Sequence, residues 1–443
     1  MNIKRFVVRA LPAVFIAGCT LYSDVSITPL IVQPPNIERG ADLQQMLRKA
    51  DFLRAIELTS SIEKRDSPVA AELAALGEAE LASGHYDAAR KHLRAALDTN
   101  PFRTSYASIA WQLSQLEYLN NNFDSSLDWA KIAIARGMNI RQWHLDYMQA
   151  LANRRVYEFP DKTTTRLIMR VGNPDVPRVE VRLNDQRSVS AVVDTGAVIS
   201  IMSKRYAELM SVKPLGTFEG TFYGLLGEPI AVTFAVLDSV EIGDMVVRSV
   251  PVAIMPDEKM RFLVSDKKEY HIDFLLGANF LKEFRVEMDF RKQQIEFTKL
   301  TVADRQPAVN QNMFMEGFRP LVRGTVNRHG WFLFVLDTGS EVTFLNEAQL
   351  GALPIPGFQA KGHNARLQGL GGSMKRGAKV DNVEIGMDKW AGIFRTLPMY
   401  ESANQDRSVG IVGENFLKNF RVVIDFGTMR LDLFREGTAP TQL

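Results

Sequence analysis

Fourteen residues from Gly277 read GANFLKEFRVEMDF and fourteen from Gly413 read GENFLKNFRVVIDF, so 10 of 14 positions are identical at a constant offset of 136. A chain that repeats itself in this way folds as two similar units, and a landmark found in one unit is to be sought in the other. Upstream of the repeat, Asp194-Thr195-Gly196 is matched by Asp337-Thr338-Gly339, each closing an apolar run, Ala191 to Val193 and Phe332 to Leu336. Leu275-Leu276-Gly277 and Ile411-Val412-Gly413 end 83 and 76 positions past the respective Asp (277 − 194 and 413 − 337). Between these landmarks each half has a glycine hairpin, Tyr223-Gly224-Leu225-Leu226-Gly227 against Gln368-Gly369-Leu370-Gly371-Gly372, offset by 145.

The local pattern repeats as well. An alternating stretch (Arg178 to Leu183, Leu321 to Val326), a turn (Asn184-Asp185, Asn327 to Gly330) and an apolar strand lead into each triplet. Short helical turns are predicted over Lys204 to Met210 and Asn346 to Leu350, and strands over the rest of each half. One chain therefore carries two aspartates in like surroundings. Two carboxyl groups that share one proton can make water attack an amide, one acting as base while the other donates to the carbonyl oxygen.

At these residues, over about 280 positions from Thr164 to the C-terminus, the sequence resembles the aspartic endopeptidases of the retropepsin and pepsin type. The resemblance implies two small closed β lobes whose Asp-Thr-Gly loops meet at a pseudo-twofold axis, with a peptide or protein substrate in the inter-lobe cleft under glycine hairpins. Carried over residue by residue, Asp194 and Asp337 form the catalytic dyad. Thr195 and Thr338 cross-bond the loops, and Gly196 and Gly339 allow a tight turn. Tyr223, Gly224 and Gly227 belong to one flap and Gln368, Gly369 and Gly372 to the other. Gly277 and Gly413 let a strand pass close against each loop. No cofactor is implied, no metal, and no oligomer to complete the active site.

The chain departs from the family in places. Ala197 follows the first triplet as in retroviral enzymes, and Ser340 the second as in pepsins. Ser200 and Thr343, six past each Asp, follow the retroviral pattern. The lobes are shorter than pepsin's and lack its disulfides. The closest description is a single-chain, duplicated retropepsin-like enzyme. Ser340 is expected to donate a hydrogen bond that favours ionised Asp337, giving an acid optimum less extreme than that of pepsins. The hairpins also read as ordinary tight turns, and Gly369 to Gly372 lacks the spacing of a phosphate loop. The six histidines show no metal-ligand spacing, and no serine or cysteine has a nucleophile's partners.

The N-terminus has Lys4, Arg5 and Arg9 ahead of an apolar run, Ala10 to Ala17, then Gly18-Cys19. Ile16-Ala17-Gly18-Cys19 resembles the bacterial lipobox, in which the cysteine takes lipid and becomes the mature N-terminus. Cys19 is the only cysteine in the chain, so no disulfide framework is needed in an oxidising periplasm. Thr20 after it favours, by family habit, the outer membrane. A plain cleaved secretory signal or an uncleaved anchor are the other readings. Lys and Arg are spread along the chain and the net charge is +2, so no nucleic-acid partner is expected.

Residues 19–40, with Pro29, Pro34 and Pro35, read as an extended tether. Beyond it Phe52, Tyr86 and Phe123 stand 34 and then 37 apart, followed three residues later by Ala55, Ala89 and Ser126 and ten later by Ile62, Ala96 and Ala133. This period resembles the tetratricopeptide repeat, most clearly at Leu76-Gly77, Gly84, Tyr86, Ala89, Leu93, Ala96 and Pro101, with departures at Leu73 and Glu80. Arg141 to Arg155 reads as a capping helix. Such an array either docks a protein partner or serves as a spacer or brace for the lobes.

The expected organisation is a signal peptide (1–18), a tether (19–40), an all-α helical-repeat domain (41–157), a first all-β protease lobe (158–300), a linker (301–312) and a second lobe (313–443). The expected function is that of an aspartic endopeptidase in the bacterial cell envelope, held to the membrane by lipid on Cys19 and facing the periplasm. Its rivals are a non-catalytic peptide-binding lipoprotein built on the same lobes, and a scaffold whose repeats matter more than its lobes.

Overall fold

The computed structural model describes residues 13–14, 25–30, 43–48, 51–58, 62–63, 69–99, 105–160, 162–172, 174–224, 227–265, 268–350, 360–368, 374–400 and 407–435. An N-terminal helical region is followed by two β lobes. Its helices are α1 (Leu43–Arg48), α2 (Phe52–Glu57), α3 (Ala70–Ala82), α4 (Tyr86–Thr99), α5 (Tyr106–Leu119), α6 (Phe123–Ala135) and α7 (Gln142–Leu151). Phe52, Tyr86 and Phe123, the aromatics of the sequence period, each begin a helix. Ala55, Ala89, Ser126, Ala96 and Ala133 behind them are all buried. Small side chains let the helices approach closely: a Cβ on Gly77 of α3 would lie 2.6 Å from Leu93 Cγ of α4. Pro101 lies outside the described residues.

Each lobe is a sheet that closes on itself. In the first, Pro229–Ile242, Arg178–Leu183, Arg187–Val193, Phe274–Leu276, Ser200–Ser203 and Met245–Met255 pair in that order, and the last returns to the first. In the second, Met374–Met387, Arg319–Val326, His329–Leu336, Ser408–Val412, Phe344–Asn346 and Trp390–Tyr400 form the same ring. Closure removes unpaired edges and turns one face of every strand inward. Arg178–Leu183 accordingly alternates, with Val179, Val181 and Leu183 buried. The turns at Asn184-Asp185 and Asn327-Arg328 have positive φ at both residues, 48° and 54°, 49° and 64°, the conformation that two-residue hairpins with right-twisted strands require.

The repeated segments meet each other. Phe284–Asp289 pairs antiparallel with Arg421–Asp425, and Glu287 faces Val423, its own counterpart at the offset of 136 (423 − 287). An antiparallel pair centred on equivalent residues is what a local twofold axis produces. This pair sits inside a five-stranded sheet that carries strands from both lobes and joins them.

The helical region packs across both lobes. Phe52 meets Phe314 at 5.5 Å between ring centroids, Tyr118 meets Phe318 at 4.5 Å, and Trp143 stacks on Phe234 at 5.6 Å. Arg407 pairs with Glu78 at 2.5 Å. Asn121 bridges the buried neighbours Lys282 and Glu283 at 2.7 and 2.9 Å.

Part of the stretch read as an extended tether is paired with a lobe. Val25–Pro29 pairs antiparallel with Trp390–Phe394 of the second lobe. Its alternation of Val, Ser, Ile and Thr suits an edge strand, with Val25 and Ile27 packed on the core. Ala13–Val14 pairs in parallel with Tyr223–Gly224. Cys19 lies outside the described residues, and no described helix is long and apolar enough to cross a membrane.

Candidate active site

The two Asp-Thr-Gly triplets meet at the junction of the lobes. Each sits at the end of a strand whose parallel neighbour fixes the loop: Asp194 N–H donates to Leu276 O at 3.0 Å and Asp337 N–H to Val412 O at 3.1 Å. The residue that ends each neighbour must be glycine. A Cβ on Gly277 would lie 2.5 Å from the carbonyl carbon of Ile199, and one on Gly413 2.6 Å from Val342 O.

The threonines cross-bond. Thr195 N–H donates to Thr338 Oγ1 and Thr338 N–H to Thr195 Oγ1, both at 3.1 Å. Thr195 Oγ1 donates to Leu336 O and Thr338 Oγ1 to Val193 O, both at 2.6 Å. Each hydroxyl thus uses a donor and an acceptor site on the opposite loop, and the loops hold one register.

That register sets each carboxyl over the other loop's glycine. A Cβ on Gly196 would lie 2.3 Å from Asp337 Cγ, and one on Gly339 2.4 Å from Asp194 Cγ. Asp194 Oδ1 accepts from Gly196 N–H at 2.9 Å and Ala197 N–H at 3.0 Å, and Asp337 Oδ1 from Gly339 N–H at 2.9 Å. Both residues are fully buried, and neither Oδ2 has a hydrogen-bond partner among the donors of the protein. Two ionised carboxylates cannot remain so cheaply. Burial first of all raises the pKa of Asp194, to about 7, against the loop N–H groups that favour its ionised form. Asp337 is pushed well up by burial, then by the charge of Asp194 beside it. A proton shared by the two carboxyls would relieve that cost.

Ser340 does not serve Asp337 as expected. Its hydroxyl donates to Val342 O at 2.8 Å, because the loop turns back on itself and offers that carbonyl first. The raised pKa values come from burial and from the partner carboxyl instead.

Two residues escaped notice in the sequence. Asn279 Oδ1 accepts from Ser200 N–H at 2.7 Å and Ser200 Oγ at 3.0 Å, and Asn415 Oδ1 accepts from Thr343 N–H at 2.8 Å. Ser200 Oγ and Thr343 Oγ1 in turn each accept from the N–H of Gly277 or Gly413 at 3.1 Å. Asn, Gly and the hydroxyl six past each Asp therefore form one brace under each loop. The signal was visible as the identical third position of the repeated segment.

The first hairpin is formed by Gly220–Gly224 and the strand from Pro229. Gly227 has φ +84° and donates to Gly224 O at 3.0 Å. Tyr223 Oη accepts from Arg141 Nη2 at 2.7 Å, and the Arg141 guanidinium lies 4.9 Å over its ring. In the second hairpin Gln368 ends a strand opposite Met374; Gly369 and Gly372 lie outside the described residues. Glu341 Oε1 accepts from Asp175 N–H at 2.7 Å. Among the described residues no group of three or more His, Cys, Asp or Glu is arranged to hold a metal ion.

Residues 179–283 match the family model described as "gag-polyprotein putative aspartyl protease". Similar solved structures include a retropepsin-like aspartic protease from Rickettsia conorii, at 16% identity and a TM-score of 0.21, over 32% of this chain and 95% of that one. Another is the aspartic proteinase from Irpex lacteus, at 10% identity and a TM-score of 0.38, over 63% of this chain and 99% of that one. No curated protein matches the chain. The family match lies within the first lobe, and the second lobe repeats that lobe's ring of strands.

Proposed function

We propose that the protein is an aspartic endopeptidase, in which Asp194 and Asp337 activate water against a peptide bond of a protein substrate held extended between the lobes. The observation that carries this reading is the facing pair of buried carboxyls, each with an unpartnered oxygen. At rest the pair holds one proton, which we place on Asp337. Asp194 takes a proton from water, whose oxygen bonds to the substrate carbonyl carbon. Asp337 gives its proton to the carbonyl oxygen. Collapse of the tetrahedral intermediate breaks the C–N bond as the leaving amine takes the proton that Asp194 acquired and one diol hydroxyl returns its proton to Asp337, so that the pair again holds one proton.

Helical residues 41–157 and lobes 158–300 and 313–443 are the working units in this reading, with a tetratricopeptide-like array in the first. Lipid on Cys19 would hold the enzyme to the outer membrane, facing the periplasm. The strand Val25–Pro29 then brings the tether away from the edge of the second lobe. Labelling with radioactive palmitate, abolished by Cys19→Ser, tests the anchor.

The decisive experiment replaces Asp194 or Asp337 by Asn and follows cleavage of an unfolded protein, with circular dichroism as control for folding. Cleavage by wild type that either variant abolishes supports the reading. Cleavage that survives in both variants ends it; binding of peptides without cleavage by wild type points to the non-catalytic alternative.

A further inference from the structure

The hairpin that carries Tyr223 does not stand free of the helical region. One face of it is built into the lobe, where Phe222 and Ile230 share an apolar cluster with Ala197 and Ile199, three and five past Asp194. The same cluster takes in Tyr147 and Leu151 of α7, with Trp143 packed against it. Trp143 stacks on Phe234 and lies 6.2 Å from Phe222 between ring centroids, within the range in which aromatic pairs attract. Gly220 makes the close approach possible, since a Cβ there would lie 2.7 Å from Phe234 Cε2 and 3.3 Å from Trp143 Cε3.

Successive residues of a strand point to opposite faces, so Tyr223 leaves the side on which Phe222 is buried. It is met by Arg141, which stands in extended backbone just ahead of α7, with φ −67° and ψ 138°. Arg141 Nη2 donates to Tyr223 Oη at 2.7 Å while the guanidinium lies over the Tyr223 ring. A charge-assisted hydrogen bond and a cation–π contact thus act on one side chain. Arg141 and Trp143, two residues of the helical region, between them hold both faces of the strand Gly220–Gly224.

We propose that Arg141 is a positioning residue for the reaction: acting through Tyr223, it sets the posture in which the first hairpin closes on a bound peptide. The inference rests on the endopeptidase reading. A hairpin over a cleft must open to admit substrate and return to one arrangement to hold it. Without the Arg141 guanidinium the Tyr223 side is released, while Phe222 keeps its packing against Trp143. The hairpin then stays folded but is closed for a smaller share of the time. A less populated closed state weakens substrate binding by the same factor and leaves the Asp194 and Asp337 pair as it was.

The test uses the full chain with Arg141→Met, which keeps the stem and removes the fork, Arg141→Lys, which keeps the charge, Tyr223→Phe, and the double variant of Arg141→Met with Tyr223→Phe. On a peptide that wild type cleaves, Arg141→Met should raise KM about tenfold with kcat within about twofold. Arg141→Lys should recover most of that loss. The double variant should be no worse than Arg141→Met alone, because one interaction cannot be lost twice. Amide hydrogen exchange over residues 220–230, measured without substrate, should quicken in Arg141→Met and stay at the wild-type rate over residues 147–151. Losses that add in the double variant, or exchange in the hairpin that does not change, overturn the inference and leave the endopeptidase reading intact. A wild type that cleaves nothing ends that reading, and the exchange rates then decide by themselves whether Arg141 holds the hairpin.

Discussion

Gly196 lies directly beneath the Asp337 carboxyl, so close that a single methyl at this position would stand 2.3 Å from Asp337 Cγ. Gly339 stands in the same relation to Asp194. The glycines are required by the opposite loop rather than by their own backbone, since neither has positive φ. Gly196→Ala is expected to force the loops apart by a fraction of an ångström. Displacement on that scale costs on the order of 10²-fold in rate, and overpacking costs about 1–3 kcal/mol in stability. Measured kcat/KM within about threefold of wild type would show that the loops do not need this contact.

The threonine cross-bonds make a second test of the same junction. Thr195→Val keeps the shape but leaves Thr338 N–H and Leu336 O without their buried partner. Each unsatisfied group costs about 1–3 kcal/mol, so urea unfolding should show a loss of roughly 2–6 kcal/mol. Thr195→Ser retains the hydroxyl and is expected to lose much less. Equal losses for the two variants would mean that packing of the methyl, not the bond, holds the loops.

How much of this was legible beforehand depends on the kind of signal. The duplication exposed the Asp loops, and Gly277 and Gly413 with them, because a twofold site must be written twice. It also contained Asn279 and Asn415, but a buried asparagine reveals its partner only once Ser200 and Thr343 are seen beside it. The Ser340 hydroxyl was misread because sequence proximity to Asp337 does not say which acceptor the loop offers. Arg141 and Tyr223 are 82 positions apart, and no periodicity links a helix end to a flap. Val25–Pro29 looked like tether for a similar reason: its alternation shows a strand, whereas its partner, Trp390–Phe394, is remote.

Titration of the dyad has a definite sign. Both folded pKa values lie above the unfolded value of about 3.9, so the pair contributes most to stability in acid, and that contribution is lost as pH rises through about 7, where Asp194 titrates. Asp337→Asn cannot ionise and its Oδ1 still accepts from Gly339. It should therefore be more stable than wild type at pH ~8 by about 1–3 kcal/mol, with the difference shrinking toward pH ~4. Wild-type activity should rise as pH passes about 7, where Asp194 becomes the ionised base, and fall only at the higher pH where Asp337 gives up its proton, while Ser340→Ala leaves the profile in place. Thermal melts at the two pH values decide the first point: a stability difference that does not change with pH would mean that the carboxyls are not coupled to folding.

A spacer and a brace predict different unfolding. Phe52 of α2 is fully buried, meets Phe314 of the second lobe and lies under Arg407, which pairs with Glu78 of α3. Leu333, Val335 and Ile411 of that lobe share one apolar cluster with Leu76 and Leu93 of the helices. Two units that share a core cannot melt far apart, because unfolding either one strips the other of its cover. Phe52→Ala should remove about 3–5 kcal/mol and lower one transition, followed together by the helical signal and by fluorescence of Trp390 in the second lobe. If the helices melt early while the Trp390 signal stays at its wild-type temperature, the region is a spacer.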